Sequence, residues 1–304
     1  MSPSHERTPV HLSASSLQQA IVQIAGDGVA VRSERSIGGG SINDTRQLIL
    51  TTGDYLFLKA NTRAPADLFA EEARGLQALR QAQGPRVPAP LGLFENGGTQ
   101  YLLLEWIASG RPSGDFWTRF GRNLALLHRT NRSPRSGFSH DNHIGATEQP
   151  NGWMVSWHDF FAERRLLFQV ELARKHGRAD AAMEQGVRKI IKKLPDLLPS
   201  VDEGGASILH GDLWGGNYMV SETNEPVLID PAVYYGHREA DLAMTQLFGG
   251  FSPAFYDAYE TEWPLVPGYE HRRDLYNLYH LLNHVNLFGG SYAGSCRAII
   301  QRFS

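Results

Sequence analysis

The sequence predicts an α+β protein of two lobes: a small five-stranded antiparallel β lobe with one main helix over residues 1–107, and a larger, mostly α-helical lobe over 108–304. Three observations predict it. Between residues 29 and 106, short β-like runs are separated by turn residues, and one helical repeat interrupts them at 65–83. From residue 115 onward the apolar spacing is mostly helical. The 304 residues also exceed what one core fills, since single cores stop growing near about 250 to 300 residues.

Ser15 and Ser16 are candidate caps for a short helix with Leu17, Ile21 and Ile24 as its apolar positions. Three strands follow as an antiparallel meander. The first runs into Gly38-Gly39-Gly40, the second covers 45–50, and Thr52-Gly53-Asp54 turns the chain into the third at 55–59. Leu68, Phe69, Ala73, Leu76 and Leu79 then recur at helical spacing, between Pro65 and the Gly84-Pro85 stop. Strands at 90–94 and 100–106 flank Glu95-Asn96-Gly97-Gly98 and complete the sheet. Pro112 and Ser113 mark a connector. Helices are expected over 116–130, 156–176, 179–198, 238–248 and 272–288, broken only by short strands at 207–210, 218–220 and 226–229. No internal repeat or low-complexity tract is present.

The 29 basic and 32 acidic side chains leave a formal charge of −3 and a pI near 6.5, without the basic footprint that a nucleic-acid partner needs. A single cysteine, Cys296, excludes an intramolecular disulfide and a cysteine-rich zinc site, and fits a reducing compartment. Residues 1–19 are polar and lack the apolar core of a secretory signal, and every apolar run falls far short of the roughly 20 residues of a membrane span. A cytoplasmic protein with no membrane partner is expected. The sequence carries no signal of oligomeric state.

The stretch that carries chemistry is His210-Gly211-Asp212-Leu213-Trp214-Gly215-Gly216-Asn217, followed by the apolar run 227–229 and Asp230. Asp212 and Asn217 are five residues apart, the Asp-to-Asn spacing of a kinase catalytic loop. Asp230 follows thirteen residues after Asn217, where a second carboxylate would return to the same cleft. Phosphoryl transfer needs this set: a carboxylate to orient the attacking hydroxyl, and an amide oxygen with a carboxylate to hold Mg²⁺ against nucleotide phosphates. The alternative makes Asp212 and Asn217 turn residues and Asp230 a strand-end cap. The apolar strand ahead of Asp230 favours the chemical reading.

Upstream, Gly38, Gly39, Gly40 and Ser41 form a turn where a backbone without Cβ atoms can approach phosphate oxygens, or simply a flexible hairpin loop. Lys59 ends the third strand, within reach of the α and β phosphates, and Glu72 on the next helix is the partner that would hold it. Glu71 competes for that role. Adjacent helix positions point about 100° apart, so only one faces the cleft, and Leu68, Leu76 and Leu79 put Glu72 on the favoured side.

The order glycine loop, Lys, helix Glu, Asp, Asn, Asp resembles the protein-kinase-like fold of small-molecule kinases. The His210–Asn217 stretch, with Asp230-Pro231-Ala232, Tyr235-Gly236-His237, Phe248-Gly249-Gly250-Phe251 and Asn283-His284, resembles the fructosamine kinase (ketosamine-3-kinase) family from about residue 36 to 292. The resemblance implies an ATP- and Mg²⁺-dependent kinase acting on the C3 hydroxyl of a ketosamine, whose 3-phosphate breaks down to release the amine. It implies Asp212 as base, Asn217 and Asp230 as Mg²⁺ ligands, and Lys59 with Glu72 as nucleotide clamp. Glu105, Trp106 and Ile107 would be the hinge against adenine. Some family members carry a cysteine in the glycine loop; Ser41 stands here, which argues against that redox control.

Trp214, in a glycine-rich loop, is a candidate sugar contact rather than a core residue. His237, Asn283 and His284 are further substrate candidates, against the alternative of satisfied interior side chains. His280 and His284 have metal-ligand spacing but no accompanying H-E-x-x-H. His210 is expected to order the catalytic loop, and Asp241 to accept hydrogen bonds from that loop's backbone. Competing readings are a phosphotransferase of the same fold acting on an aminoglycoside, choline or a sugar, and a nucleotide-binding pseudoenzyme. A protein kinase fits less well, because only eleven residues separate Asp230 from Asp241 and no A-P-E motif is present.

Overall fold

A computed structural model of the chain describes residues 11–38 and 43–304. Helix α1 (Leu17–Ala25) is capped by Ser16, whose side chain accepts from the Gln19 N–H. Strands β1 (Val31–Ser36), β2 (Asp44–Leu50) and β3 (Tyr55–Asn61) form the meander, and α2 (Leu68–Gln81) follows. Strands β4 (Pro90–Asn96) and β5 (Thr99–Glu105) complete a five-stranded antiparallel sheet of order β1-β2-β3-β5-β4. Lys59 pairs with Thr45 on β2 and Leu102 on β5, so it sits on a central strand. Gly38 is exposed just past β1; Gly39, Gly40 and Ser41 lie outside the described residues.

The rest is mostly helical. Helix α3 (Phe116–Thr130) matches its expected span, and a short strand β6 (Arg132–Ser133) follows. The expected 156–176 helix is α4 (Trp157–Phe160) and α5 (Phe168–Lys175) joined by a π-helical stretch, Phe161–Leu167, that buries Arg165. Between α3 and α4 the sequence suggested no strands, yet a hairpin of β7 (Asn142–Ile144) and β8 (Thr147–Gln149) stands there. Three-residue strands are too short to show a periodicity. Beyond α6 (Ala181–Leu197) come β9 (Ala206–Leu209), β10 (Tyr218–Val220), β11 (Pro226–Leu228) and β12 (Tyr234–Gly236). Helices α7 (Glu239–Leu247), α8 (Pro253–Glu262), α9 (Tyr269–Phe288) and α10 (Ala293–Phe303) close the fold. Two of these, α8 and α10, were not expected, although Pro253 at the first turn of α8 is a helix-start residue.

Two apolar interiors result. A small one, with Ile21, Leu48, Leu50, Leu58 and Leu103, lies between α1 and one face of the sheet. The large one runs without a break from Phe69, Leu76 and Leu79 of α2, through Leu102 and Leu104 of β5, into α3, α6, α7 and α9. The hairpin leans on α2 as well: His143 Nε2 lies 3.0 Å from Asp67 Oδ1, at the start of that helix. Among the described residues, no helix is long and apolar enough to cross a membrane.

Candidate active site

Lys59 is 5% exposed along its side chain, and its Nζ donates to Glu72 Oε1 at 2.6 Å and to Asp230 Oδ1. Burial pulls the ammonium pKa down, but the carboxylates of Asp230 and Glu72 outweigh it and hold the pKa above the usual lysine value. Glu72 is pushed above its usual value by burial, against the pull of Lys59. Glu71, the rival, instead pairs with Arg74 one turn along α2.

The loop between β9 and β10 carries the second half of the site. Asn217 Nδ2 donates to the Asp212 carbonyl at 2.8 Å and to Asp212 Oδ2 at 3.0 Å, which leaves the amide oxygen as the group able to meet a cation. Burial is the main reason that the Asp212 carboxyl is pushed up to about 7; the Asn217 hydrogen bond opposes this, and the charges of Asp230 and Asp241 add to it. Asp230 lies just past β11 in the left-handed backbone region, at φ 54°, with its side chain 49% exposed to the cleft. A non-glycine residue there is strained, which is common at functional positions.

The loop is held from behind. Asp241 accepts from the His210 N–H at 2.7 Å and the Gly211 N–H at 2.9 Å, and His128 Nε2 lies 3.2 Å from it. Burial raises the Asp241 carboxyl, but these bonds outweigh it and its pKa stays below the ordinary value. His210 is neutral through burial; its Nε2 donates to the Ile229 carbonyl at 2.9 Å, while Nδ1 accepts from the Asp212 N–H at 3.3 Å. Gly211, at φ 82°, has no substitute, because a Cβ would collide with the Ala232 carbonyl. Asp241→Ala leaves two buried N–H donors and His128 without their acceptor. Urea melts are expected to show a loss of about 2 to 5 kcal/mol, and a change under 1 kcal/mol would contradict this role.

One cleft of about 270 Å³ is lined by Lys59, Glu72, Asp212, Asn217 and Asp230 together with Trp214, Asn283 and His284. Trp214 is 37% exposed, with its ring 5.9 Å from Phe248. His284 packs on Phe248, Phe288 and Tyr292 and donates through Nδ1 to the His280 carbonyl, so its Nε2 is the acceptor left for a substrate hydroxyl. Asn283 is buried and its Oδ1 has no partner among the described residues.

His237 does not join them. It is buried against Trp157 and Tyr276, with its rings stacked 5.9 Å from the latter, and its Nδ1 accepts from the Glu239 N–H. The wall is therefore Trp214, Asn283 and His284 without His237, an interior histidine kept neutral by burial. Glu105, Trp106 and Ile107 lie at the end of β5, outside that cleft lining. The Glu105 carboxylate is occupied by Arg86 at 2.6 Å and the Ala89 N–H at 3.1 Å, and Trp106 rests near Tyr55 and Phe57.

Sequence reasoning missed the hairpin side of the cleft. Asn142, His143 and Ile144 of β7 line it. Asn142 donates to the Val233 carbonyl and accepts from Gln149 and Asn151, and Arg165 donates to Asn151. This chain of amides supports the backbone just after Asp230. No spacing in the sequence announces it.

The fructosamine kinase family model matches residues 13–304. The chain belongs to the fructosamine kinase family. A protein named as a probable ketoamine kinase, from Synechocystis sp., is 44% identical over 286 residues, covering 94% of this chain and 95% of its own. A crystal structure described as a candidate fructosamine-3-kinase, from Haemophilus somnus 129PT, superposes with a TM-score of 0.84 at 28% identity, covering 95% of this chain and 96% of that one. A type I macrolide 2′-phosphotransferase superposes at 0.60 with 14% identity, covering 95% of each chain, which shows the kinase-like fold. This member of the fructosamine kinase family is thus a phosphotransferase with the fold expected from its motif order, and its family implies ATP as donor.

Proposed function

We propose that the protein transfers the γ-phosphoryl group of ATP to the C3 hydroxyl of a ketosamine, a sugar-derived ketone carrying an amine at C1. The observation that carries this reading is the convergence of Asp212, Asn217, Asp230 and the Lys59–Glu72 pair beside the half-exposed Trp214. Residues 1–107 then act as the nucleotide lobe and 108–304 as the catalytic and acceptor lobe.

Asp212 accepts the proton of the attacking hydroxyl through its carboxylate and fixes that oxygen in line with the phosphorus. Lys59, kept charged by its two carboxylates, donates to nucleotide phosphate oxygens, and Glu72 keeps it from swinging away. The backbone of Glu105, Trp106 and Ile107 faces adenine. The Asn217 amide oxygen and the Asp230 carboxylate are hard oxygen donors, two of them and not a closed cage, which suits Mg²⁺ with its remaining positions left to phosphate and water. When bound, Mg²⁺ neutralises charge on the phosphates during transfer. Trp214 presents its ring face to the sugar, and His284 Nε2 and Asn283 Oδ1 accept from sugar hydroxyls. The product carries phosphate on C3; its 1,2-enaminol expels that phosphate, and the imine left behind hydrolyses to the free amine. A cytoplasmic setting belongs to this reading, which the single, free and buried cysteine of the sequence, Cys296, suits.

The test is phosphate transfer to a fructosyl amine against choline, an aminoglycoside and free fructose at equal concentration. The fructosyl amine is expected to be the best acceptor, with amine released on standing. A better rate with an aminoglycoside or choline would remove the deglycating function. Trp214→Ala is expected to lower kcat/KM for the fructosyl amine by about 1 to 3 kcal/mol while ATP affinity holds. An equal loss of nucleotide affinity would mean that Trp214 shapes the loop instead of the sugar site.

A further inference from the structure

Two amides of the hairpin β7–β8 reach across to the segment that follows Asp230. Both Gln149 and Asn142 are buried. Gln149 Nε2 donates to the Ala232 carbonyl at 3.1 Å and to Asn142 Oδ1 at 2.7 Å, while its Oε1 accepts from the Tyr279 hydroxyl of α9. Asn142 Nδ2 donates to the Val233 carbonyl at 2.8 Å, and its Oδ1 accepts a second bond from Asn151 Nδ2. Asn151 Oδ1 accepts in turn from Arg165 Nη2 at 2.7 Å. Every side-chain polar atom of Gln149, Asn142 and Asn151 is thereby paired. A buried network in that condition is rigid, and an apolar replacement at one member leaves its partners unmet.

Packing alone does not call for such a network, since apolar side chains would seat the hairpin without the cost of burying amides. What apolar side chains cannot do is grip carbonyl oxygens. The two gripped here belong to consecutive residues, Ala232 and Val233. The same segment is fixed from the catalytic loop, where the His210 carbonyl accepts from the Ala232 N–H at 2.9 Å and the Asn217 carbonyl from the Ile229 N–H at 3.1 Å. Between these anchors stands Asp230, at φ 54° and followed by Pro231, which narrows its backbone choice further. A strained residue keeps its conformation only where its surroundings over-determine it. Two of the four bonds that do so come from the hairpin.

We infer that Gln149 is a positioning residue: with Asn142 it holds residues 232–233 so that the Asp230 carboxylate stays where it meets Lys59 and, when bound, Mg²⁺. Tyr279 sets which way the Gln149 amide faces, because a hydroxyl donating to Oε1 leaves Nε2 for Ala232. It lies four residues before Asn283 on α9, so the helix that carries the sugar wall also orients this amide. The inference rests on the assignment of Asp230 to Mg²⁺ made above, and it adds residues that touch neither cation nor substrate.

The experiment titrates the fluorescent nucleotide mant-ATP, without acceptor, once in Mg²⁺ and once in EDTA. The ratio of the two dissociation constants measures what the cation adds to nucleotide affinity. It is taken for the wild-type protein, Gln149→Met, Tyr279→Phe and, as the reference, Asp230→Ala. Methionine keeps the length of glutamine and removes its hydrogen bonds. In Gln149→Met the gain from Mg²⁺ is expected to shrink by about tenfold, the scale for losing a residue that orients a metal ligand, while affinity in EDTA stays within about twofold of wild type. Tyr279→Phe is expected to shrink it in the same direction by less. The EDTA arm separates positioning from a loosened fold, because a disordered site weakens both arms alike. A gain in Gln149→Met equal to that of the wild type overturns the inference, and so does an equal loss in both arms. Should the methionine variant fail to fold, an unchanged gain in Tyr279→Phe overturns it instead. A gain that survives in full in Asp230→Ala overturns the metal assignment itself, and the positioning role with it.

Discussion

Asp212→Asn is expected to remove at least about 10² to 10⁴ of turnover while ATP still binds. Under the proposed reading the carboxylate acts on the acceptor hydroxyl, whereas Lys59 would meet the nucleotide phosphates and the oxygens of Asn217 and Asp230 would hold their Mg²⁺. Steady-state rates beside a nucleotide-binding titration check both halves, and a folded variant keeping a tenth of wild-type turnover would exclude Asp212 as the base. With burial pushing the carboxyl up to about 7, activity is expected to fall as pH drops below about 7, where the base becomes protonated. Stability moves the opposite way. A folded pKa raised from the unfolded value of about 3.9 means that the native state binds the extra proton, so stability declines as pH rises from about 4 to about 7 and then levels. The variant lacks this titration. Its Tm is therefore expected to gain on the wild-type Tm across that window, and a gap independent of pH would contradict the raised carboxyl.

Asp230→Ala has the next largest expected effect. It takes away the one carboxylate assigned to Mg²⁺ and one of the two that hold Lys59 charged. The Mg²⁺ concentration for half-maximal rate at fixed ATP is expected to rise by about tenfold or more, with Asn217→Ala shifting it in the same direction. A titration with an unmoved midpoint in the Asp230 variant would leave the two-ligand arrangement without support. Because Asp230 occupies a left-handed backbone position, alanine there is strained as well, so a thermal melt should accompany the rates.

What could be read from the sequence was what has a period or a fixed spacing. The Asp212 to Asn217 interval, Lys59 at a strand end and the apolar spacing of α2 each specify a local geometry, and α3 lies over its expected residues. Glu72 was separable from Glu71 because, although both line the cleft, only Glu72 is set to reach Lys59 on β3, while Glu71 pairs with Arg74. The hairpin β7–β8 escaped notice because its strands have three residues each, and Arg165 escaped because a buried arginine bonded to amides and carbonyls looks like a surface residue in sequence. His237 was misplaced for a related reason. A histidine next to a glycine near the catalytic stretch looks available, and only the packing of Trp157 and Tyr276 shows it to be enclosed.

The unbroken interior that joins α2 and β5 to the helical part has a thermodynamic consequence. Two bodies sharing one apolar interior cannot melt separately, because either alone would expose the face that the other covers. Unfolding is expected as a single calorimetric event in which the van't Hoff and calorimetric enthalpies agree. A fragment ending at residue 107 would keep the small interior under α1 but bare the inner side of α2, and so should remain unfolded or aggregate. Two resolved endotherms would show the lobes to be independent. Under the proposed reading, the boundary near residue 107 would divide chemical labour within what the shared interior predicts to be one cooperative unit.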